Sequence, residues 1–292
     1  MKISIEENSG FCFGVIRAVK LADTILDKGE ELYCLGQIVH NELEVIRLTA
    51  KGLKFVSNDD LPRLKNCKLL LRAHGEPPET YEIAERNNIE IIDGTCPIVK
   101  RIQNRIRKDG MNEENNREQV IIFGKENHPE VRSLKAQVPG KTIVIGSEKE
   151  AGEVELKDKV YLYAQTTMDS EKYINVASVL QKRLEDTGGE LILNNTICGH
   201  VSHRKPGLVT FAKENEMIIF LAGHNSSNGK MLFEACRSEN KRSFYITSPE
   251  DIRKEWFAGI ESVGISGATS TPRWQIELVV EKVKEIANRK GW

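Results

Sequence analysis

The stretch "KISIEENSGFCFGVIRAVK", residues 2–20, passes from a short β-rich run through a glycine-flanked turn into positions with helical spacing. "KISI" reads as a strand, and Val15, Ile16, Ala18, Val19 and Leu21 recur at intervals close to a helical turn. Cys12 stands at the junction. A helix start leaves backbone N–H groups unpaired and favours negative charge, so a thiol placed there ionises more readily than one in a core. That suits a nucleophile or a metal ligand. The plainer reading makes Cys12 a small apolar residue packed between Phe11 and Phe13, the common fate of cysteine. The residues that accompany it decide between the two.

The strand-to-helix alternation runs through the whole chain. Short apolar runs such as "ELYCL", "LKFV", "KLLLR", "IEIID", "QVIIFG", "VYLYAQ", "MIIFLAG" and "SVGIS" are separated by amphipathic stretches at 79–87, 97–108, 170–185, 206–215, 229–238 and 273–289. Such alternation predicts an α/β fold with mainly parallel sheets, whose ligand sites lie in loops beyond the carboxyl ends of the strands. Those loops carry a rough threefold repeat of chemistry-bearing residues: "GQIVHN", "LRAHG" and "DGTCP" in the first third, "FGKENHPEV" and "AQTTMD" in the second, and "NNTICGH", "AGHNSSN" and "SGATSTP" in the last. We expect three related small α/β units, 13–96, 97–195 and 196–292, the third completed by residues 1–12. The polar segment 108–119, "KDGMNEENNREQ", reads as a surface loop without chemistry.

Composition narrows the function classes. The 292 residues include 42 basic and 43 acidic ones with no segregated block of either sign, so neither nucleic acid nor an anionic membrane is an expected partner. The start "MKISIEENSG" has no apolar leader region, and no run is long enough to span a bilayer. The expected location is cytoplasmic and the expected ligand a small molecule.

Six cysteines, at 12, 34, 67, 96, 198 and 236, form no close pairs and no C-x-x-C. This disfavours a disulfide framework, a zinc ribbon and a ferredoxin-type loop. Cys34 lies inside a strand-like run, Cys67 opens another, and Cys236 falls inside a helix-like stretch, so all three read as packing residues. Cys12, Cys96 and Cys198 instead stand at strand ends, one in each third of the chain. Three thiolates converging on a pseudo-threefold centre could hold a zinc ion or an iron–sulfur cluster with one iron left without a protein thiolate. The local run "CGHVSH", with His200 and His203 beside Cys198, offers a second zinc reading, although its spacing matches no common zinc motif.

"GFCFGVIRA" resembles the GFCxGVxRA signature of the 4-hydroxy-3-methylbut-2-enyl diphosphate reductases, the IspH/LytB family, and the resemblance continues in order through "VHN", "AHG", "DGTCP", "HPEV", "QTT", "NSSN" and "STP". It implies an enzyme that removes the allylic hydroxyl of (E)-4-hydroxy-3-methylbut-2-enyl diphosphate with two electrons and protons. The products would be isopentenyl and dimethylallyl diphosphate, at the last step of the non-mevalonate (MEP) route to isoprenoids. It further implies a [4Fe–4S] cluster on Cys12, Cys96 and Cys198 with one open iron for the substrate's hydroxyl, and an electron donor such as ferredoxin or flavodoxin. Glu130 in "HPEV" matches the family's proton donor, with Thr166 in "QTT" bonding the same hydroxyl; neighbouring Glu126 reads as a solvated charge. After the third cysteine the family pattern A-T-x-x-R-Q keeps only Arg204 here, with His200-Val201 in place of Ala-Thr and Lys205 in place of Gln.

The diphosphate side has a physical basis of its own. His40, His74 and His128, with Ser226, Ser227, Asn228 and Ser270, place short donors on strand-end loops, where they can surround a phosphate together with helix N-termini. A non-redox sugar-phosphate- or nucleotide-binding α/β protein is the rival reading. It would call for a glycine-rich phosphate loop after the first strand, and "NSGFCFGV" has neither usual spacing. A zinc-dependent hydrolase is a third.

Overall fold

A computed structural model of the protein describes residues 1–110, 117–224 and 226–289, without the side chains of Ser202, Ser227 and Arg289. In chain order the elements are β1 (Lys2–Ile5), α1 (Phe13–Leu26), β2 (Leu32–Leu35), α2 (Glu42–Ala50), β3 (Leu53–Val56), β4 (Lys68–Leu71), α3 (Pro78–Arg86), β5 (Glu90–Asp93) and α4 (Pro97–Gly110). They continue with β6 (Glu118–Phe123), α5 (Pro129–Lys135), β7 (Thr142–Ile145), α6 (Glu148–Glu153), β8 (Lys159–Ala164), α7 (Ser170–Glu185) and β9 (Glu190–Leu193). The last are α8 (Gly199–Ser202), α9 (Arg204–Lys213), β10 (Met217–Leu221), α10 (Ser227–Glu239), β11 (Ser243–Ile246), β12 (Ser262–Gly267) and α11 (Arg273–Arg289). The alternation read from the sequence is present, and no helix among the described residues is long and apolar enough to cross a membrane.

The strands form three four-stranded sheets, ordered β3-β2-β4-β5, β7-β6-β8-β9 and β11-β10-β12-β1, and every pairing is parallel. The three orders are the same design. In the third, β1 takes the edge place that β5 and β9 hold in the others. Inner strands such as β8 (KVYLYA) and β10 (MIIFL) are buried almost throughout, as continuous apolar runs covered on both faces must be. The edge strands β1, β5 and β9 are only half-buried, and each leads into the loop that bears one of the three strand-end cysteines.

The described chain divides into two compact bodies. One comprises Met1–Val19, Gln37–Gly52 and the chain from His203 onward, and it contains the β11-β10-β12-β1 sheet. Its core joins Met217, Ile219, Leu221, Val263 and Ile265 of the sheet to Ile276, Val279 and Val283 of α11. The other comprises Lys20–Gly36 and Leu53–Ser202 and contains the other two sheets. Phe123, Leu162 and Ala164 pack there on Tyr173, Val176 and Leu180 of α7, and Val120, Ile122 and Tyr163 pack on Val99, Ile102 and Ile106 of α4.

The structure corrects part of the expected loop. Of residues 108–119, Lys108 to Gly110 finish α4 and Glu118 and Gln119 open β6, while 111–116 lie outside the described residues. The helix extends because Ile106 and Gly110 face the core, where Gly110 is packed so tightly on Val138 that a β-carbon would come within 2.5 Å of it.

Candidate active site

The three strand-end cysteines share one local backbone arrangement. Each follows an edge strand and immediately precedes a helix, and its carbonyl accepts the first helical hydrogen bond: Ile16 N to Cys12 at 3.0 Å, Lys100 N to Cys96 at 2.9 Å, Val201 N to Cys198 at 2.8 Å. Each also donates its N–H to the loop after the neighbouring strand. Cys12 bonds the Thr269 carbonyl (3.3 Å) beyond β12, Cys96 that of Ala73 (3.0 Å) beyond β4, and Cys198 that of Thr166 (2.9 Å) beyond β8. Repetition of one sheet order thus places each cysteine beside a second loop with polar chemistry, namely "STP", "AHG" and "QTT".

All three thiols are half-buried, whereas Cys34 in β2 and Cys236 in α10 are fully buried. Burial pushes those two up to about 12, so they remain neutral packing residues. Cys198 is also pushed up by burial; backbone N–H groups of His200 and Val201 at the start of α8 pull it back, and negative charge at Cys96 and Glu130 opposes them. In the chain alone, burial outweighs the helix start at this thiol, and a cation bound there would reverse the balance.

Glu130 is a residue of the first turn of α5, not of a loop, because Pro129 starts the helix and the side chain of His128 caps it. His128 Nδ1 accepts from the Glu130 N–H at 3.2 Å, which in the neutral ring leaves the proton on Nε2. The Glu130 carboxylate is 2% exposed. One oxygen accepts the Thr166 N–H and the other the Thr166 hydroxyl, both at 2.6 Å. Burial holds this carboxyl above the ordinary 4.5, against the pull of its two bonds from Thr166. Glu126 is exposed and paired with Lys135 at 2.7 Å.

The same body carries His74, whose ring meets that of His128 edge to face at 5.3 Å. Its turn is closed by an Arg72–Glu76 ion pair (3.1 Å) and by Gly75 at φ +72°, where a β-carbon would strike Gln103. The other body carries His40, Ser226, Asn228 and Ser270. Ser226 caps α10 by accepting the Gly229 N–H, and its hydroxyl lies 3.2 Å from that of Ser270. Asn228, in the first turn of α10, donates to the Thr269 hydroxyl at 2.7 Å. The side chain of Ser227 lies outside the described residues. Thr269 escaped the sequence reading; its position between two motif residues, in a loop bonded to that of Cys12, was the available signal. Asn41 escaped it too: it caps the helix after His40 and is also bonded to Gln275, 234 residues away.

Comparison with known proteins gives this geometry its relatives. The family model described as "LytB protein" matches residues 3–284. The chain is 44% identical over 291 residues to a protein of Bacteroides fragilis named 4-hydroxy-3-methylbut-2-enyl diphosphate reductase, covering 99% of this chain and 100% of that one. A protein of the same name from Porphyromonas gingivalis is 44% identical over 286 residues, covering 97% and 99%. A solved structure of (E)-4-hydroxy-3-methyl-but-2-enyl diphosphate reductase, described as the terminal enzyme of the non-mevalonate pathway, superposes with TM-score 0.77 at 34% identity over 98% of this chain and 100% of that one. The E-1-hydroxy-2-methyl-but-2-enyl-4-diphosphate reductase of Plasmodium falciparum shares the fold, with TM-score 0.79 at 22% identity over 96% and 87%.

Proposed function

The chain belongs to the LytB protein family, and we propose that it reduces (E)-4-hydroxy-3-methylbut-2-enyl diphosphate to isopentenyl and dimethylallyl diphosphate. In this reaction the allylic C–O bond breaks, two electrons and two protons enter, a C–H bond forms, and the oxygen leaves as water. Cys12, Cys96 and Cys198 would hold a [4Fe–4S] cluster with one open iron. The donor set fits: three soft, half-buried thiols, each at a helix start beside backbone that can approach inorganic sulfide. When bound, the cluster supplies the electrons and a Lewis-acidic iron. A structural zinc would want a fourth cysteine or histidine, and His200 and His203 are both exposed.

The protein's own residues account for binding and proton delivery. Ser226, Ser227, Asn228 and Ser270, with His40, His74 and His128, would bind the diphosphate, the α10 N-terminus adding its favourable dipole. Hydroxide leaves an allylic carbon poorly unless it is protonated, so an acid must stand near the departing oxygen. Glu130 is that acid. Burial makes it hold its proton more tightly than an exposed carboxyl does, and the Thr166 hydroxyl at 2.6 Å would relay that proton. The buried Glu130–Thr166 pair, backed by the bond from Cys198 N–H to the Thr166 carbonyl, carries this assignment. Electrons would come from a ferredoxin or flavodoxin, in the cytoplasm.

The test is anaerobic incubation of the reconstituted protein with (E)-4-hydroxy-3-methylbut-2-enyl diphosphate and a low-potential reductant. We expect both isomeric five-carbon diphosphates as products. Substrate returned unchanged by a protein that holds its cluster would favour the non-redox phosphate-binding reading.

A further inference from the structure

Glu6 immediately follows β1, and Arg204 opens α9, yet their side chains meet with only 5% and 2% of their surfaces exposed. Arg204 Nη2 lies 3.4 Å from Glu6 Oε2 and also donates to the Gly267 carbonyl at the end of β12. Glu6 is otherwise well provided for: Ser266 Oγ donates to Oε2 at 3.0 Å and the Asn8 N–H to Oε1 at 3.3 Å. Arg204 is not, because its Nε and Nη1 are buried without a hydrogen-bond partner among the described residues. A buried ion pair seldom repays its own desolvation, and a guanidinium with unpaired N–H groups repays it even less. Such a group points to an anion beyond Glu6.

The place of the pair suggests which anion. Glu6 and Gly267 mark the carboxyl ends of adjacent strands β1 and β12, and the loops that leave them are joined by the bond from Cys12 N–H to the Thr269 carbonyl. Arg204 is therefore clamped at the root of the Cys12 loop. Burial lowers Arg204 from its ordinary value, while Glu6, Cys12 and Cys236 act to hold its proton. Cys236, fully buried and pushed up to about 12, is a neutral thiol. On the proposed cluster assignment, Cys12 would be a thiolate ligand.

Resting on the cluster assignment above, we propose that Arg204 is a positioning residue that tunes the iron–sulfur centre: its fixed charge at the root of the Cys12 loop raises the cluster's reduction potential. Reduction adds negative charge to the cluster, so a nearby cation favours the reduced form, and net charge and hydrogen bonding to sulfur are what set such potentials. Glu6 anchors the cation and, being an anion in the same place, works against it. The two residues should therefore shift the potential in opposite senses.

Anaerobic redox titration of the reconstituted protein, followed by the visible absorption and electron paramagnetic resonance of the cluster, tests this. Arg204→Gln should move the midpoint to more negative potential, Arg204→Lys should stay nearer the parent than Arg204→Gln does, and Glu6→Gln should move it to more positive potential. Unchanged midpoints, or shifts of the same sign in Arg204→Gln and Glu6→Gln, would overturn the proposal. If Arg204→Gln does not fold, the Glu6→Gln shift decides, and no positive shift there overturns it. A parent protein that binds no cluster would instead refute the cluster assignment, a result separate from these.

Discussion

At Glu130, burial acts on the carboxyl proposed as the acid. Its folded pKa lies above the ordinary 4.5 because desolvation outweighs two hydrogen bonds from Thr166. The folded chain therefore holds this proton to higher pH than the unfolded chain does. The associated stabilisation is fully present below the unfolded value and is lost as pH rises through the folded one. Glu130→Gln copies the protonated form and escapes that loss. Chemical unfolding of the two proteins across a pH series should show the variant gaining on the parent as pH rises above about 4.5, with no gain below it. Turnover should fall by about 10²–10⁴-fold, the usual worth of a positioned acid, while iron content is retained. Glu126→Gln, at an exposed charge paired with Lys135, should keep normal turnover. Near-normal turnover of Glu130→Gln would remove this residue from the mechanism. The "HPEV" motif singled out Glu130 over Glu126 as the candidate, but its burial and its bonds from Thr166, 36 residues away, had no local signal.

Among the elements, α2 shows best what a sequence conceals. It lies between β2 and β3 in the chain but belongs to the body of the other sheet, β11-β10-β12-β1. Asn41 caps it by accepting the Glu44 N–H at 2.9 Å and exchanges two amide hydrogen bonds with Gln275 of α11, at 3.0 and 2.8 Å. Trp274 donates to Glu44 at 2.9 Å, and Gly223 lies so close that a β-carbon would come within 2.5 Å of the His40 carbonyl. These contacts hold His40 in place at the head of the helix. Asn41→Ala should cost about 1 kcal/mol for the cap and a further 1–3 kcal/mol, roughly, for leaving a buried amide unpaired. Urea unfolding measures the sum, and a double-mutant cycle with Gln275→Ala should give a non-additive result; strict additivity would mean that the amide pair contributes nothing. The long helices α4, α7 and α11 were readable because their apolar stripes repeat over several turns. The seven-residue α5 was not, nor was the first turn of α10, so Glu130 and Asn228 were expected on loops and instead stand in helical first turns.

For the whole molecule, one sheet order used three times explains why three cysteines so far apart in sequence share one backbone environment. The strand-end positions of Cys12, Cys96 and Cys198 were visible in the sequence, as were the strand runs that carry them. The edge placement of β1, β5 and β9, and the N–H bonds to the neighbouring strand's loop, were not, because parallel pairing joins segments with no local signal. Cys34 and Cys236 are sealed in the packing of their own sheets, and Cys67 precedes β4 at the opposite end of its strand from the "AHG" loop. The most direct measurement is the iron and acid-labile sulfide content of anaerobically reconstituted protein in which each of the six cysteines is replaced in turn by serine. The parent and the Cys34→Ser, Cys67→Ser and Cys236→Ser proteins should each retain about four iron and four sulfide per chain, and Cys12→Ser, Cys96→Ser and Cys198→Ser should not. Full retention in any of the last three, or loss confined to the first three, would contradict the account.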